Sequence, residues 1–425
     1  MFGSICRVVR QAMFVALIVI LMFKQSSELG AQENWSRFHG PNGSGLALDS
    51  KIPAKITPED VRWKVSLAGV GSSSPVIWGD RLFTTSCDLR TGKLTVQCFN
   101  VASGEQIWSK EFQQQVYRVH GRNSFASSTP AVDAEHVYLT FADPKQTVLM
   151  ALDHDGNEKW KRDFGTWISQ HGFGVSPMVY QDKVIFFNSQ LAAGGETGES
   201  RVIAVACKDG SDVWTSSLKA TKSCYAVPCI FKSADGKEQL VSCNTGDGFF
   251  SLDPGTGKMN WSTLPFKMRT VASTLVADGM IIGSNGSGGG GNYLVAIRPD
   301  QNDSSAEPAK AYEVKRANYV PSPVAVDGRL FLFSDKGIAQ CVDLQTGEQL
   351  WQKRMARGFS GSPVATAEHI YILDESGKLF VIDAKPEYKE VCTLELGESS
   401  RSTPAIVGDR MFLRTDSHLI CIGKK

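Results

Sequence analysis

The chain has 425 residues, 45 Lys and Arg against 44 Asp and Glu, with 42% hydrophobic and 21% charged residues. A formal charge of +1 gives no global field to draw a nucleic acid or an anionic membrane. Forty glycines beside a low charged fraction exclude a disordered chain and a coiled coil, and point to many turns between buried strands.

Arg7 and Arg10 precede an apolar run over residues 12–23, which Lys24 ends. The run is too short for a bilayer, which takes about 20 residues, and fits a signal-peptide core of about 7–15. Small residues follow at Leu29-Gly30-Ala31, so residues 1–31 are expected to be a signal peptide cleaved after Ala31. An uncleaved anchor is the alternative. No later stretch approaches spanning length, so we expect an exported protein, periplasmic or extracellular, with no transmembrane span after signal removal. Residues 32–59 form a lead-in, Asn34-Trp35-Ser36-Arg37-Phe38 followed by a Gly-rich bend, in which Trp35 and Phe38 are expected to pin the segment to the repetitive region beginning at residue 60.

From residue 60 the chain repeats. Ser74-Pro75, Thr129-Pro130, Ser176-Pro177, Val227-Pro228, Ser322-Pro323, Ser362-Pro363 and Thr403-Pro404 open successive units, and Thr274-Leu275 fills the gap. The spacings of 55, 47, 51, 47, 48, 40 and 41 hold one phase throughout. Each unit runs from a short apolar strand through a tight turn such as Asp327-Gly328 to two more strands, then to a Thr-Gly-type turn and a fourth strand bearing Trp. Four short antiparallel strands in about 40–50 residues make a β-propeller blade. After Pro404 only 21 residues remain, enough for three strands. The missing fourth is supplied by Trp63, which precedes Pro75 by the same 12 residues that separate Trp351 from Pro363. The predicted fold is therefore all-β: an eight-bladed propeller over residues 60–425, closed by an N-terminal strand that completes the last blade.

Nine cysteines lie beyond the signal region, an odd number that cannot pair completely. Most sit in apolar strands and read as small buried hydrophobes; Cys229 and Cys243 could lie on neighbouring strands and bond. Neither a CxxC nor a His pair at ligand spacing occurs, so no metal site is expected.

The blade endings Ala151-Leu-Asp-His-Asp-Gly-Asn-Glu-Lys-Trp160, Ser251-Leu-Asp-Pro-Gly-Thr-Gly-Lys-Met-Asn-Trp261 and Cys341-Val-Asp-Leu-Gln-Thr-Gly-Glu-Gln-Leu-Trp351 resemble the quinoprotein (PQQ-type) propeller repeat. Trp63, Trp108, Trp160, Trp214, Trp261 and Trp351 are the structural blade tryptophans, expected to pack between blades and hydrogen-bond across them. Blade five has Tyr312 and blade seven Val391-Cys392 where Trp is expected, so these two should dock less tightly. The resembling superfamily holds PQQ-dependent alcohol and sugar dehydrogenases and also BamB-like envelope propellers, which serve as scaffolds for outer-membrane protein assembly. This chain is closer to the latter in length and in its lack of catalytic motifs.

In a propeller, functional groups converge on the loops that enter the innermost strands. From eight to three residues before each blade anchor stand Arg122, Lys222, Lys267, Arg269, Lys315, Arg316, Arg357 and Arg401, with Glu398 the single acid. His171 and Tyr319 share these loops. The expected binding face is Arg122, His171, Lys222, Arg269, Arg316, Tyr319, Arg357 and Arg401, a cationic mouth suited to a protein or acidic peptide partner. A dehydrogenase of the resembling type would need calcium held by hard oxygens and an Asp base, and these windows supply almost no acids. The expectation is a monomeric, non-enzymatic binding module of the cell envelope with no catalytic residues and no cofactor. A PQQ- and calcium-dependent alcohol or sugar dehydrogenase is the alternative.

Overall fold

The computed structural model describes residues 34–191, 200–219, 222–263, 266–301 and 303–424. The expected signal peptide and most of the Gly-rich insert 191–199 lie outside them. The described residues form eight four-stranded antiparallel sheets, each running outward in chain order from a short inner strand. Blade one, for example, takes Val76–Trp78, Arg81–Asp88, Lys93–Asn100 and Gln106–Gln113. In blade eight the outer strand is Val61–Ser66, paired antiparallel with His418–Gly423 so that Trp63 faces Cys421. The ring thus closes where the lone Trp strand predicted it. No helix among the described residues is long and apolar enough to cross a membrane.

Second and third strands are covered on both faces by neighbouring blades and are buried almost throughout, as in Leu330–Phe333 of blade six. Outer strands alternate instead, as half-covered strands must. In Val61–Ser66 partly buried and exposed residues take turns along the whole strand.

The tryptophans dock each blade on the next through one recurring contact. Trp63, Trp108, Trp160 and Trp214 donate their indole N–H to the carbonyls of Val101, His154, Cys207 and Pro254, at 3.2, 2.8, 2.8 and 3.1 Å. Each ring lies against the glycine of the following blade's turn. A Cβ on Gly210, at φ +69, would stand 2.6 Å from Trp160, so only glycine fits both the turn and the ring. Blade five corrects the expectation of looser docking: the Tyr312 hydroxyl donates to Leu344 O at 2.8 Å and its ring covers Gly347. A phenol reproduces the indole contact because both couple an apolar ring to one donor. Trp261 is the departure, donating instead to Gln239 Oε1 of its own blade, whereas Trp351 donates to Lys385 O of the following blade at 3.4 Å although that turn carries no glycine. In blade seven the Cys392 thiol bonds the lead-in, donating to Ala54 O at 3.2 Å.

The nine described cysteines are free. Cys229 and Cys243 do stand on adjacent strands of blade four, but out of register, Cys229 opposite Val241 and Cys243 opposite Phe249.

Candidate binding cavity

The inner strands begin at the Ser/Thr-Pro steps, and their hydroxyls form a belt around the channel. The Ser74 amide donates to Thr129 Oγ1, that of Thr129 to Ser176 Oγ, and that of Val227 to Ser273 Oγ. Ser273, Ser322, Ser362 and Thr403 pass the pattern on to Ser74, each at 2.9–3.0 Å. Only at Val227, which has no hydroxyl to offer Ser176, is the belt interrupted. In the sequence this signal stands in the residue before each proline, and in blade five, which has none, in Ser273, two residues before Leu275.

The lead-in closes one end of the channel. Trp35 exchanges two main-chain hydrogen bonds with Ile77 of blade one, and Ser36 accepts from Val132 of blade two. Asn42 brackets Ile230 of blade four with its side-chain amide, and residues 45–47 pair with Ala365 of blade seven. The segment therefore caps the free edges of inner strands across the ring. Trp35 is buried, and Phe38 faces the channel. Two buried polar side chains serve this plug. Arg37 donates to Pro228 O at 2.7 Å, and burial lowers its guanidinium to about 10. His39 lies between Gly43 O and Pro363 O, and burial holds its imidazole down to about 4 against the pull of those two carbonyls.

Above Phe38 the channel opens into a cavity of about 490 Å³. The hydroxyl belt and Val227 form its wall, and the loops entering blades two to eight form its mouth. Of the predicted face, Arg122, His171, Arg269, Tyr319 and Arg401 line this one cavity. Lys222, Arg316 and Arg357 are exposed and stand outside its lining. His120, Asn123 and Tyr225 join the lining, although the residue window left His120 out.

The mouth is tied together by side chains and loop carbonyls. Residues 114–127, which account for the longest blade spacing, fold over it. The His120 amide and the Asn123 side chain both donate to His171 O, at 3.2 and 2.7 Å, and the two imidazoles meet edge to face with centroids 5.2 Å apart. Burial, with Arg269 and His120 nearby, lowers the His171 imidazole below its ordinary value. Tyr225 donates to Gly172 O at 3.0 Å, and burial pushes its phenol up to about 12.

Carboxylates also reach this face from the turns between second and third strands, which the window count left out. Asp335 lines the cavity, its carboxyl raised by burial. Glu375 stands 3.5 Å from Arg122 Nε and accepts the Ser360 hydroxyl at 2.6 Å. Glu398, the one acid the window did include, is engaged elsewhere, accepting from Thr415 and Ser417 and contacting His418 Nδ1. The Gly-rich stretch 283–291 forms a strand–strand turn, as expected, and brings Ser287 and Gly288 to the cavity. Among the described residues no three His, Cys, Asp or Glu side chains gather where one metal ion could be held.

A family profile described as outer membrane protein assembly factor BamB matches residues 54–224, 230–386 and 335–422. The outer membrane protein assembly factor BamB of Yersinia pestis is 22% identical over 333 residues, 75% of this chain and 78% of that protein. Among solved structures, BamB from Moraxella catarrhalis superposes with a TM-score of 0.58 at 14% identity, over 85% of this chain and 98% of that one. The quinohemoprotein alcohol dehydrogenase of Comamonas testosteroni superposes with a TM-score of 0.66 at 13% identity, over 94% of this chain and 82% of that one. At such identities the two structures speak to the fold alone.

Proposed function

This chain belongs to the BamB family of outer membrane protein assembly factors, and from that membership we propose that it is an exported, non-enzymatic propeller. It binds protein segments in the cell envelope, in the service of outer-membrane protein assembly, through its loop face. The observation that carries the choice of face is the lining of one cavity: three guanidinium groups, Arg122, Arg269 and Arg401, with two imidazoles, against a single carboxylate, Asp335. Cations gathered at one end of a low-dielectric channel attract an acidic segment and fix its orientation.

The same lining supports a reading without quinone and calcium. Calcium takes about 6–8 oxygen ligands with carboxylates prominent among them, and one carboxylate lines this cavity. No dehydrogenase step is assigned to these residues.

The test is capture of envelope proteins by the purified chain over a range of salt concentrations, with wild type against a variant carrying Arg269→Glu and Arg401→Glu. Salt-sensitive capture that the double variant loses supports the loop face. Capture that survives both substitutions and high salt places binding elsewhere.

A further inference from the structure

We infer that the plugged channel is a receptor for a single inserted carboxylate of the bound segment, and that the incoming group displaces Glu375 from Arg122. This rests on the proposal that the loop face is the binding face, and adds what enters it and how.

Four observations converge on this inference. Arg269 is only 8% exposed, yet among the described residues its side chain makes one hydrogen bond, Nε to Ser223 O at 2.7 Å, and no ion pair. A guanidinium presents five donors, and burying its charge with no anion nearby is costly. Its remaining donors line the cavity, where an anion would satisfy them.

Arg401 repeats the pattern, since its Nε is buried with no hydrogen-bond partner among the described residues. The hydroxyl belt adds neutral donors. Ser273, Ser322, Ser362 and Thr403 each accept a backbone N–H through the side-chain oxygen, which leaves the hydroxyl proton to donate. Hydroxyls free to donate under a rim of arginines favour an anionic acceptor, and a carboxylate is the anion an unmodified protein segment carries.

Access sets the geometry. Residues 35–47 cap the inner-strand edges at the far end, so nothing threads through, and the ligand enters from the loops as an acidic side chain or a chain terminus. At that entrance the protein already holds a carboxylate on Arg122. The Arg122–Glu375 contact, 3.5 Å long and partly exposed, joins the loop that folds over the mouth to the rim of blade seven. It is the weakest of the ties described for that loop, which suits exchange.

The experiment uses the purified chain and fluorescence anisotropy of short labelled peptides. One is Glu-rich with an amidated terminus, one is neutral with a free C-terminal carboxylate, and one is the amidated Gln-rich control. Binding by either carboxylate-bearing peptide but not by the control is expected, and whichever binds identifies the source of the group. Glu375→Gln is expected to tighten binding about two- to fivefold, the worth of a partly exposed ion pair. Arg269→Met is expected to weaken it about tenfold to a hundredfold, the worth of hydrogen bonds to a charged group. Arg269→Lys retains part of the affinity and controls for folding, along with thermal melts of every variant.

If Glu375→Gln leaves affinity unchanged or lowers it, the exchange is overturned. If binding depends on the outlying Arg316→Glu and Arg357→Glu but not on Arg269, the inserted carboxylate is overturned while the loop face stands. If neither pair matters, the loop face itself fails.

Discussion

The two ends of the channel differ in whether their arginines line the cavity: Arg269 and Arg401 do, and Arg37 does not. At the plugged end the Arg37 guanidinium reaches Pro228 O and the His39 imidazole lies between Gly43 O and Pro363 O, while Arg37 Nε and Trp35 Nε1 are buried without a hydrogen-bond partner among the described residues. Those bonds span blades four and seven, so polar groups fasten the plug to the ring. At the open end, among the described residues, Arg269 makes one side-chain hydrogen bond and Arg401 Nε makes none, and the loops are fastened to one another through side chains. Unmet donors thus occur at both ends, but those of the plug belong to residues outside the cavity lining. A terminus built to receive a ligand leaves some of them for the ligand.

That contrast makes different predictions for stability. The largest expected effect is Trp35→Ala, which removes a fully buried indole from the plug and should cost about 3–5 kcal/mol, read as a fall in the urea midpoint at unchanged m-value. Peptide affinity at the mouth should hold wherever the variant remains folded; a loss of affinity equal to that of Arg269→Met would erase the distinction between the ends.

Next come the two arginines compared directly. Arg37→Met leaves Pro228 O without its donor and should destabilise by about 1–3 kcal/mol. Arg269→Met removes a cation that lines the cavity with no anionic partner among the described residues, but also the donor to Ser223 O, so the two effects offset and stability should stay within about 1 kcal/mol of wild type. Equal destabilisation of both variants in thermal melts would mean that Arg269 holds the fold together as Arg37 does, and the mouth would lose its claim to unmet donors.

The ring was legible because its signals recur in phase: eight anchors, repeated turns and a lone Trp strand at the right distance from Pro75. What recurs less strictly was read less well. Tyr312 passed for a missing contact because the pattern was sought as an indole, whereas the blade asks for an apolar ring with a donor. The plug was not legible at all in its path, since Asn42 meets Ile230 across 188 residues and His39 meets Pro363 across 324. Lys222 and Arg357 each precede their proline by six residues and stand outside the cavity lining, whereas in blade five Ser273 supplies the belt hydroxyl, Thr274 stands at the proline position, and Arg269, five residues before it, lines the cavity. A one-residue difference in frame, invisible without the proline, separates the side chain that enters the cavity from the two that do not. The carboxylates of Asp335 and Glu375 were overlooked for a different reason: they come from the other family of turns that shares this face.

The two rim glutamates give the smallest and sharpest test of the contrast, because they differ only in what they touch. Glu375 faces an arginine of the mouth, whereas Glu398 is bound up in the structure of blade eight. Burial alone would raise the Glu398 carboxyl, but the Thr415 and Ser417 hydroxyls, the Ser417 amide and the His418 imidazole outweigh it and pull it down to about 2. A carboxyl depressed in the folded state favours folding when ionised. Its contribution is complete above the ordinary carboxylate range and is lost as pH falls through that range toward 2. Glu398→Gln should therefore lower stability at neutral pH and flatten the acid limb of the stability curve, with no change in peptide affinity. Glu375→Gln should instead raise peptide affinity. Denaturant titrations between neutral pH and the acid limb, run beside the anisotropy measurements, separate the two, and a Glu398→Gln variant that binds peptide differently would show that this acid belongs to the mouth after all.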